Sequence, residues 1–292
     1  MASYKILITG SNGQVGRATL DQLGKDETFQ AVAADHNDLD ITRPDRLDAF
    51  ILKNGVAALV NCAAYTAVDK AESDSAQCWA VNAMGPRILA QACNRHNIPF
   101  IHWSTDYVYH NHLRRPLKES DDCNPKNVYG ASKLAGEQKA KFHHPKTIIL
   151  RTSWVYAQKG TNFLNTIIDL AKTKSELTIV NDQIGAPTWA TDLAKVTGLI
   201  LRKVLDNPDN PEYYGVYNCA NQGAISWFDF ASYFVNYLRL PCIIRPIPST
   251  EFKRPAPRPS YSVLDLSKIE NTFKPGLRDW KEAVNECLDL MG

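Results

Sequence analysis

Short apolar runs alternate with amphipathic stretches through the first half of the chain. Residues 4–9, YKILIT, predict a β-strand that runs straight into Gly10-Ser11-Asn12-Gly13-Gln14-Val15-Gly16 and then a helical pattern through Leu20 and Leu23. Residues 29–34 predict a second strand ending at Asp35-His36. The stretch 38–42 leads into a helix with Thr42 as its N-cap and Pro44 in the first turn. A third strand over 57–60 ends in Asn61-Cys62-Ala63-Ala64. An amphipathic helix from about Ser75 to His96, a strand over 99–104, a helix carrying Tyr129 and a strand over 147–150 continue the alternation. Residues 110–127, with Pro116 and Pro125, read as an exposed loop. Strands alternating with helices predict an α/β fold, a Rossmann-type, right-handed, doubly wound parallel sheet.

Past Arg151 the alternation weakens. Helices are expected over 162–172 and 191–204, with strands over 177–180, 214–219 and 242–246 around a helix capped by Ser226. The expected division is an NAD(P)-binding Rossmann domain over 1–155 and a smaller α+β domain, mainly substrate-binding, over 156–292. In it, residues near 191–205 return to the first domain. The run Arg254-Pro255-Ala256-Pro257-Arg258-Pro259 cannot be helix or central strand. It is either a linker or a rigid loop that sets Arg258 over a phosphate, which its planar fork suits.

Composition narrows the class. The 292 residues are 44% hydrophobic and 22% charged, with net charge +2, an ordinary globular balance that gives no argument for nucleic acid or an anionic membrane as partner. No apolar run approaches the ~20 residues of a membrane span, and the first apolar run is too short for a signal-peptide core. The seven cysteines are odd in number, widely spaced and without Cys-x-x-Cys. They read as small hydrophobes in a reducing, cytoplasmic setting and not as a metal site.

The chemistry concentrates at three places. Gly10, Gly13 and Gly16 follow the first strand at Gly-x-x-Gly-x-x-Gly spacing, where backbone can turn tightly against a pyrophosphate held by a helix N-terminus. Asp35, about 20 residues on, suits ribose hydroxyls. Asp40 reaches the adenine or is a solvated loop acid. Ala63 and Ala64 are small enough for a cofactor to lie against them. Finally, Tyr129 and Lys133 share one helix face, one turn apart. A phenol there is a proton donor if the neighbouring cation lowers its pKa, and a hydroxyl from Ser104-Thr105 completes the site. Any exposed helix can carry such a pair; the glycine loop upstream favours catalysis.

The glycine loop, Asn61-x-Ala63-Ala64, Ser104-Thr105-Asp106 and Tyr129-x-x-x-Lys133, in that order, resemble the extended short-chain dehydrogenase/reductase family. The blocks AAYTAVDKAE (63–72), STDYVY (104–109), NVYGASKLAGE (127–137), RTSWVYA (151–157) and NDQIGAPT (181–188) are similar to its branch that reduces the C4 ketone of dTDP-linked 6-deoxy sugars. The resemblance covers residues 5 to about 190 closely and the rest more loosely. It implies catalytic roles for Thr105, Tyr129 and Lys133. Cofactor contacts are implied from Gly10, Asn12, Gly13, Gln14, Val15, Gly16, Asp35, Asp40, Ile41, Ala63, Ala64, Tyr65, Asn82, Tyr129 and Lys133. Contacts to the dTDP-sugar are implied from Val68, Thr105, Asp106, Tyr107, Trp154 and Arg258, although Trp154 also reads as an ordinary core aromatic. The expected cofactor is NADPH, with NADH also accepted because Asp35 repels a 2′-phosphate. The resemblance leaves room for a homodimer and for Mg2+, neither of which any residue pattern requires. Tyr109-His110-Asn111-His112 departs from the family's usual turn and puts the sugar contacts there in question. Two other readings are a nucleotide-sugar epimerase with tightly bound NAD and a cofactor-binding regulatory subunit. An intact Tyr129/Lys133 pair argues against the second, and Tyr107 in place of an acid argues against a dehydratase.

Overall fold

The computed structural model describes residues 3–110 and 112–291; Asn111 of the divergent turn lies outside them. In chain order the elements are β1 (Tyr4–Thr9), α1 (Gln14–Leu23), β2 (Phe29–Ala34), α2 (Leu47–Asn54), β3 (Val56–Asn61), α3 (Val68–Ala71), α4 (Ser75–Trp79), α5 (Gly85–Arg95), β4 (Phe100–Thr105), α6 (Val128–His143) and β5 (Thr147–Thr152). There follow β6 (Val155–Tyr156), α7 (Phe163–Ala171), β7 (Glu176–Val180), β8 (Ile184–Gly185), β9 (Thr188–Trp189), α8 (Ala190–Asp206), β10 (Gly215–Asn218), β11 (Ile225–Ser226), α9 (Trp227–Tyr237), β12 (Ile243–Ile247), α10 (Ser267–Phe273) and α11 (Trp280–Asp289).

Six strands form a parallel sheet in the order β2-β1-β3-β4-β5-β10. Alternate residues of each strand go to opposite faces. Ile6, Ile8, Ala58, Val60, Ile148 and Leu150 therefore pack beneath α1 and α8, whereas Leu7, Leu59 and Ile149 pack beneath α2, α5 and α6. Burial on both faces explains strands that read as continuous apolar runs. Strand order reverses between β1 and β3, which puts the ligand crevice of an open α/β sheet at their C-terminal ends.

The C-terminal elements build a separate apolar cluster around Tyr156, Trp189, Phe230, Phe234 and Trp280. Three two-stranded pairs, β7–β12, β8–β11 and β6–β9, edge it. Ser226 caps α9 through a capping box with Asp229.

Three local differences from the sequence reading have physical causes. Thr42 is not a helix cap: its N–H and hydroxyl both bond Asp40 Oδ1, and α2 starts only at Leu47 after a 3-10 turn over Pro44–Arg46. The helix between Ser75 and Arg95 carries a π turn over Ala80–Met84, invisible to a 3.6-residue period. Residues 215–218, expected in the C-terminal half, pair with β5 as the sixth strand of the main sheet.

Candidate active site at the sheet edge

The loop after β1 depends on two glycines for close approach. Gly10 has φ +68°, and a Cβ there would lie 2.4 Å from the Ala63 nitrogen. A Cβ on Gly16 would lie 2.2 Å from the Gly10 carbonyl oxygen. Gly13 differs: its φ is −73°, and an added Cβ would meet only Gly10 O, at 3.3 Å. Gly13, less crowded than Gly10 and Gly16, stands at the head of α1, whose first turn carries no acidic side chain and leaves N–H groups without helical partners. A cleft of about 450 Å³ opens here, lined by Gly10, Asn12 and Gly13, by Asp35, Asp40 and Ile41 after β2, and by Ala63, Ala64 and Tyr65 after β3. It fits a dinucleotide, with unpaired N–H donors and a positive helix end for the pyrophosphate.

At the far side of the cleft the Asp35 carboxylate accepts from Asn12 Nδ2 at 2.6 Å and from the backbone N–H groups of Asn37 and Asp38. Those backbone donors hold it below the usual carboxylate range, so Asp35 is an anion where an adenosine ribose would lie. Three expected cofactor residues, Gln14, Val15 and Asn82, turn their side chains elsewhere, and a fourth is a glycine committed to packing. Gln14 accepts from Asn162 Nδ2 at 2.9 Å, tying the glycine loop to the cap of α7, and Val15 packs on the sheet core. Gly16 is a packing glycine. Asn82 brackets the Tyr65 backbone, accepting from its N–H at 2.8 Å and donating to its carbonyl at 3.0 Å, so it shapes the cleft wall from behind.

Tyr129 and Lys133 occupy the first two turns of α6. Asn127 caps that helix by accepting from Gly130 N at 2.7 Å, and its amide donates to Pro257 O. Gly130 lets the helix press on the 105–108 segment, since a Cβ would lie 2.4 Å from Tyr107 O. The Thr105 hydroxyl donates to Asp106 Oδ1 at 3.0 Å and accepts from Tyr107 N at 3.2 Å, and its proximity to the Tyr129 phenol opposes part of the upward push of burial there. The Tyr107 ring stands edge-on to Tyr129, centroids 5.6 Å apart. The structure therefore brings Thr105, Asp106, Tyr107, Tyr129 and Lys133 together at the sheet edge.

The electrostatics correct one expectation. Lys133 was expected to lower the Tyr129 pKa; instead burial pushes the phenol above its ordinary value, and burial brings Lys133 down to about 8. The reason is geometric: the Lys133 amine is turned onto β4, donating to Trp103 O at 2.6 Å, with His102 Nε2 3.4 Å away. Burial also raises Asp106 to about 6, against the stabilising influence of Ser262 and Thr105.

Behind this pair lies a buried polar layer absent from the sequence reading. Thr9 and Ala63 N donate to Asn61 Oδ1, and Asn61 Nδ2 is 2.9 Å from His102 Nδ1. One turn beyond Lys133, Glu137 accepts from Arg151 and Ser104, and Arg151 also reaches the Tyr109 hydroxyl. A signal existed: His102 and Ser104 are polar positions in a strand with every residue buried, and buried polar groups need partners.

On the substrate side, Val68 packs beside Tyr65 and Tyr107 near Tyr129. Trp154 has φ +47° and stacks face to face on Trp227, centroids 3.5 Å apart and planes 7° off parallel. Arg258 is already engaged, its fork on Asp69 with Nη1–Oδ1 2.6 Å and Nη2–Oδ2 2.8 Å. Among the described residues no group of three or more His, Cys, Asp or Glu is placed to hold a metal ion, and no helix is long and apolar enough to cross a membrane.

A parallel doubly wound sheet, a glycine-loop cleft at its switch point and a Thr/Tyr/Lys set beside it define an oxidoreductase of the short-chain dehydrogenase/reductase kind. Residues 4–292 match the RmlD substrate binding domain family. A dTDP-4-dehydrorhamnose reductase of Burkholderia thailandensis is 39% identical, with 98% of this chain and 99% of that one covered. Among solved structures, one described as a dTDP-4-dehydrorhamnose reductase of Clostridium acetobutylicum superposes with TM-score 0.91 at 40% identity, covering 98% of this chain and 99% of that one. Another, dTDP-4-dehydrorhamnose reductase of Bacillus anthracis in complex with NADP, gives TM-score 0.90 at 33% identity, covering 98% and 99%. The chain belongs to the dTDP-4-dehydrorhamnose reductase family.

Proposed function

We propose that this chain reduces the C4 ketone of a dTDP-linked 6-deoxy sugar, converting dTDP-4-dehydro-L-rhamnose to dTDP-L-rhamnose with NADPH. The observation that carries the reading is the Thr105–Tyr129–Lys133 set near the glycine-loop cleft, in a chain of this family. The relative solved with NADP supports the cofactor.

The reduced nicotinamide, when bound, supplies the hydride; the protein supplies orientation and a proton. Gly10, Asn12, Gly13, Ala63, Ala64 and the first turn of α1 would hold the dinucleotide, with Lys133 on the nicotinamide ribose and Asp35 and Asp40 near the adenosine. Tyr129 gives its phenolic proton to the oxygen of the former ketone. The phenol carries its proton at neutral pH, as a group that is to donate one must. Thr105 hydrogen-bonds the same oxygen and aligns the phenol. Val68, Asp106, Tyr107 and Trp154 would enclose the sugar, and Arg258 would exchange part of its Asp69 contact for the diphosphate. The reading places the enzyme in the cytoplasm, supported by seven unpaired cysteines, and takes it as a homodimer, testable by light scattering.

The test is oxidation of NADPH by purified protein with dTDP-6-deoxy-L-lyxo-4-hexulose, followed at 1:1 stoichiometry with formation of dTDP-L-rhamnose. Absence of cofactor oxidation with that sugar, alongside oxidation with a different nucleotide keto sugar, would reject the substrate and keep the reductase class.

A further inference from the structure

Trp154 stands two residues past the end of β5, whose last residue, Thr152, is in register with Thr105 on β4. Its φ of +47° is one that a bulky side chain rarely adopts, because Cβ then crowds the backbone. A residue keeps that conformation only where its surroundings over-determine it, and residues strained in this way gather at ligand clamps. Trp154 is held from three directions. Its carbonyl accepts from Thr188 N at 3.2 Å. Gly185 makes room for the indole: a Cβ there would lie 2.5 Å from Trp154 Cε2 and 2.7 Å from Nε1. Trp227 covers one face of the ring, centroids 3.5 Å apart and planes 7° off parallel.

Trp227 is itself anchored. It opens α9 directly after the Ser226 cap, and its ring packs on Phe163 of α7, centroids 4.4 Å apart. Both Trp227 and Phe163 pack against the C-terminal apolar cluster. The stack therefore ties a residue at the catalytic edge of the sheet to the C-terminal half. Trp154 is still only half-buried, so the stack leaves part of its indole accessible.

We propose that Trp227 is a positioning residue for the substrate: by stacking on Trp154 it fixes that indole as a rigid apolar wall for the sugar ring of the nucleotide sugar. This role rests on the reductase reading above, in which Trp154 encloses the sugar. A side chain already fixed before binding has little freedom left to lose, so its contact with the ligand appears in the affinity almost undiminished. An indole face suits the C–H side of a 6-deoxy sugar, methyl included, and offers no partner to a hydroxyl. The wall acts on the sugar alone. The nucleoside diphosphate is held by other groups, Arg258 among them, and should not sense Trp227.

That separation gives the test. Protein saturated with NADPH, which does not react with the product, is titrated by calorimetry with dTDP-L-rhamnose and, separately, with dTDP. Trp227→Leu should weaken dTDP-L-rhamnose by about three- to tenfold, the range of an aromatic contact, and leave dTDP within about twofold. Trp227→Phe keeps a smaller flat ring on Trp154 and should recover part of the loss. In a Trp154→Ala background, Trp227→Leu should have no further effect on either ligand. Equal effects on both ligands, or no effect on either, overturn the proposal. So does a loss that persists undiminished without Trp154, because Trp227 would then act by itself. Should Trp227→Leu not fold, Trp227→Phe decides by the same comparison: a loss confined to the sugar nucleotide supports the role, and none or an equal one overturns it. A wild type that binds dTDP but not dTDP-L-rhamnose sinks the substrate reading and this role together; a wild type that binds both, with no selective loss in the variants, sinks this role alone.

Discussion

Asp69 on α3 and Arg258 in the proline-rich loop are 189 residues apart in sequence and joined by a two-pronged ion pair, 2.6 and 2.8 Å. Ala256 N and Arg254 also bond the same carboxylate, so the loop is strapped to the N-terminal half beside the candidate active site. Diphosphate binding is shared by ground and transition states. Replacing Arg258 by Ala should therefore raise KM for the sugar nucleotide by about 10- to 100-fold, the worth of a charge-assisted hydrogen bond, and change kcat less. Lys at 258 should not restore it, because Lys lacks the fork. Steady-state kinetics decide: a fall in kcat at constant KM would make Arg258 only a strap. The strap also has a pH signature. Arg258 and its neighbours hold Asp69 down at about 2. A depressed carboxylate contributes stability above its unfolded pKa, near 4, and loses it as pH falls toward about 2. Asp69→Asn should lessen the acid sensitivity of the fold in that window, measured by denaturant titration at fixed pH values.

Tyr129→Phe keeps the ring against Tyr107 and removes the proton. Turnover should fall by about 10²–10⁴-fold, the usual size of general-acid contributions, with NADPH affinity retained. Lys133→Ala should lower both turnover and cofactor affinity, since Lys133 would hold the ribose. Near-normal turnover in Tyr129→Phe would remove Tyr129 from the mechanism.

The parts legible in the sequence are those fixed by local period. Strands β1 to β5 announce themselves because a sheet buried on both faces needs unbroken apolar runs, and Tyr129 and Lys133 share a face because a helix turns every 3.6 residues. Ser226 as a cap and Gly10 as a turn are equally local. What could not be read depends on chain-distant partners. Nothing near Arg258 names Asp69, nothing near Trp154 names Trp227, and nothing near His102 names Asn61. The direction in which Tyr129 is shifted was misread for the same reason. Spacing shows that the two are neighbours, but only the packed structure shows that burial outweighs their mutual influence and that Trp103 O takes the amine.

The two loop glycines should separate binding from folding. At Gly13 an added Cβ meets one atom, Gly10 O at 3.3 Å, and a side chain there would take the room of a pyrophosphate, so Gly13→Val should weaken NADPH binding by about tenfold or more, at least one charge-assisted hydrogen bond, at a smaller cost to the fold than at Gly16. At Gly16 even a methyl group meets a carbonyl oxygen at 2.2 Å, so Gly16→Ala should destabilise the protein by about 1–3 kcal/mol, the range for overpacking. Fluorescence titration and denaturant unfolding of the two variants give the two readouts. An unaltered cofactor affinity in Gly13→Val would count against the cleft as the cofactor site.

Cofactor choice turns on Asp35. Its carboxylate is fixed by Asn12 and by the Asn37 and Asp38 N–H groups, and those bonds keep it ionised at neutral pH. It lies on the wall of the cleft where the adenosine ribose would sit. A carboxylate there accepts from ribose hydroxyls and repels a 2′-phosphate. His36 on the cleft wall, and Arg43 beside Asp40, offset part of that repulsion, so the wild type should use both NADPH and NADH. Asp35→Ala removes the repulsion and also the acceptor for a free 2′-hydroxyl, and both changes act in the same direction. The ratio of kcat/KM for NADPH to that for NADH should rise by about tenfold, equivalent to about 1.4 kcal/mol. Asp35→Asn should fall between the two, because it loses the charge and keeps an acceptor oxygen. Steady-state kinetics with each cofactor at saturating sugar would measure the ratio, and a ratio unchanged in both variants would place the adenosine ribose away from Asp35.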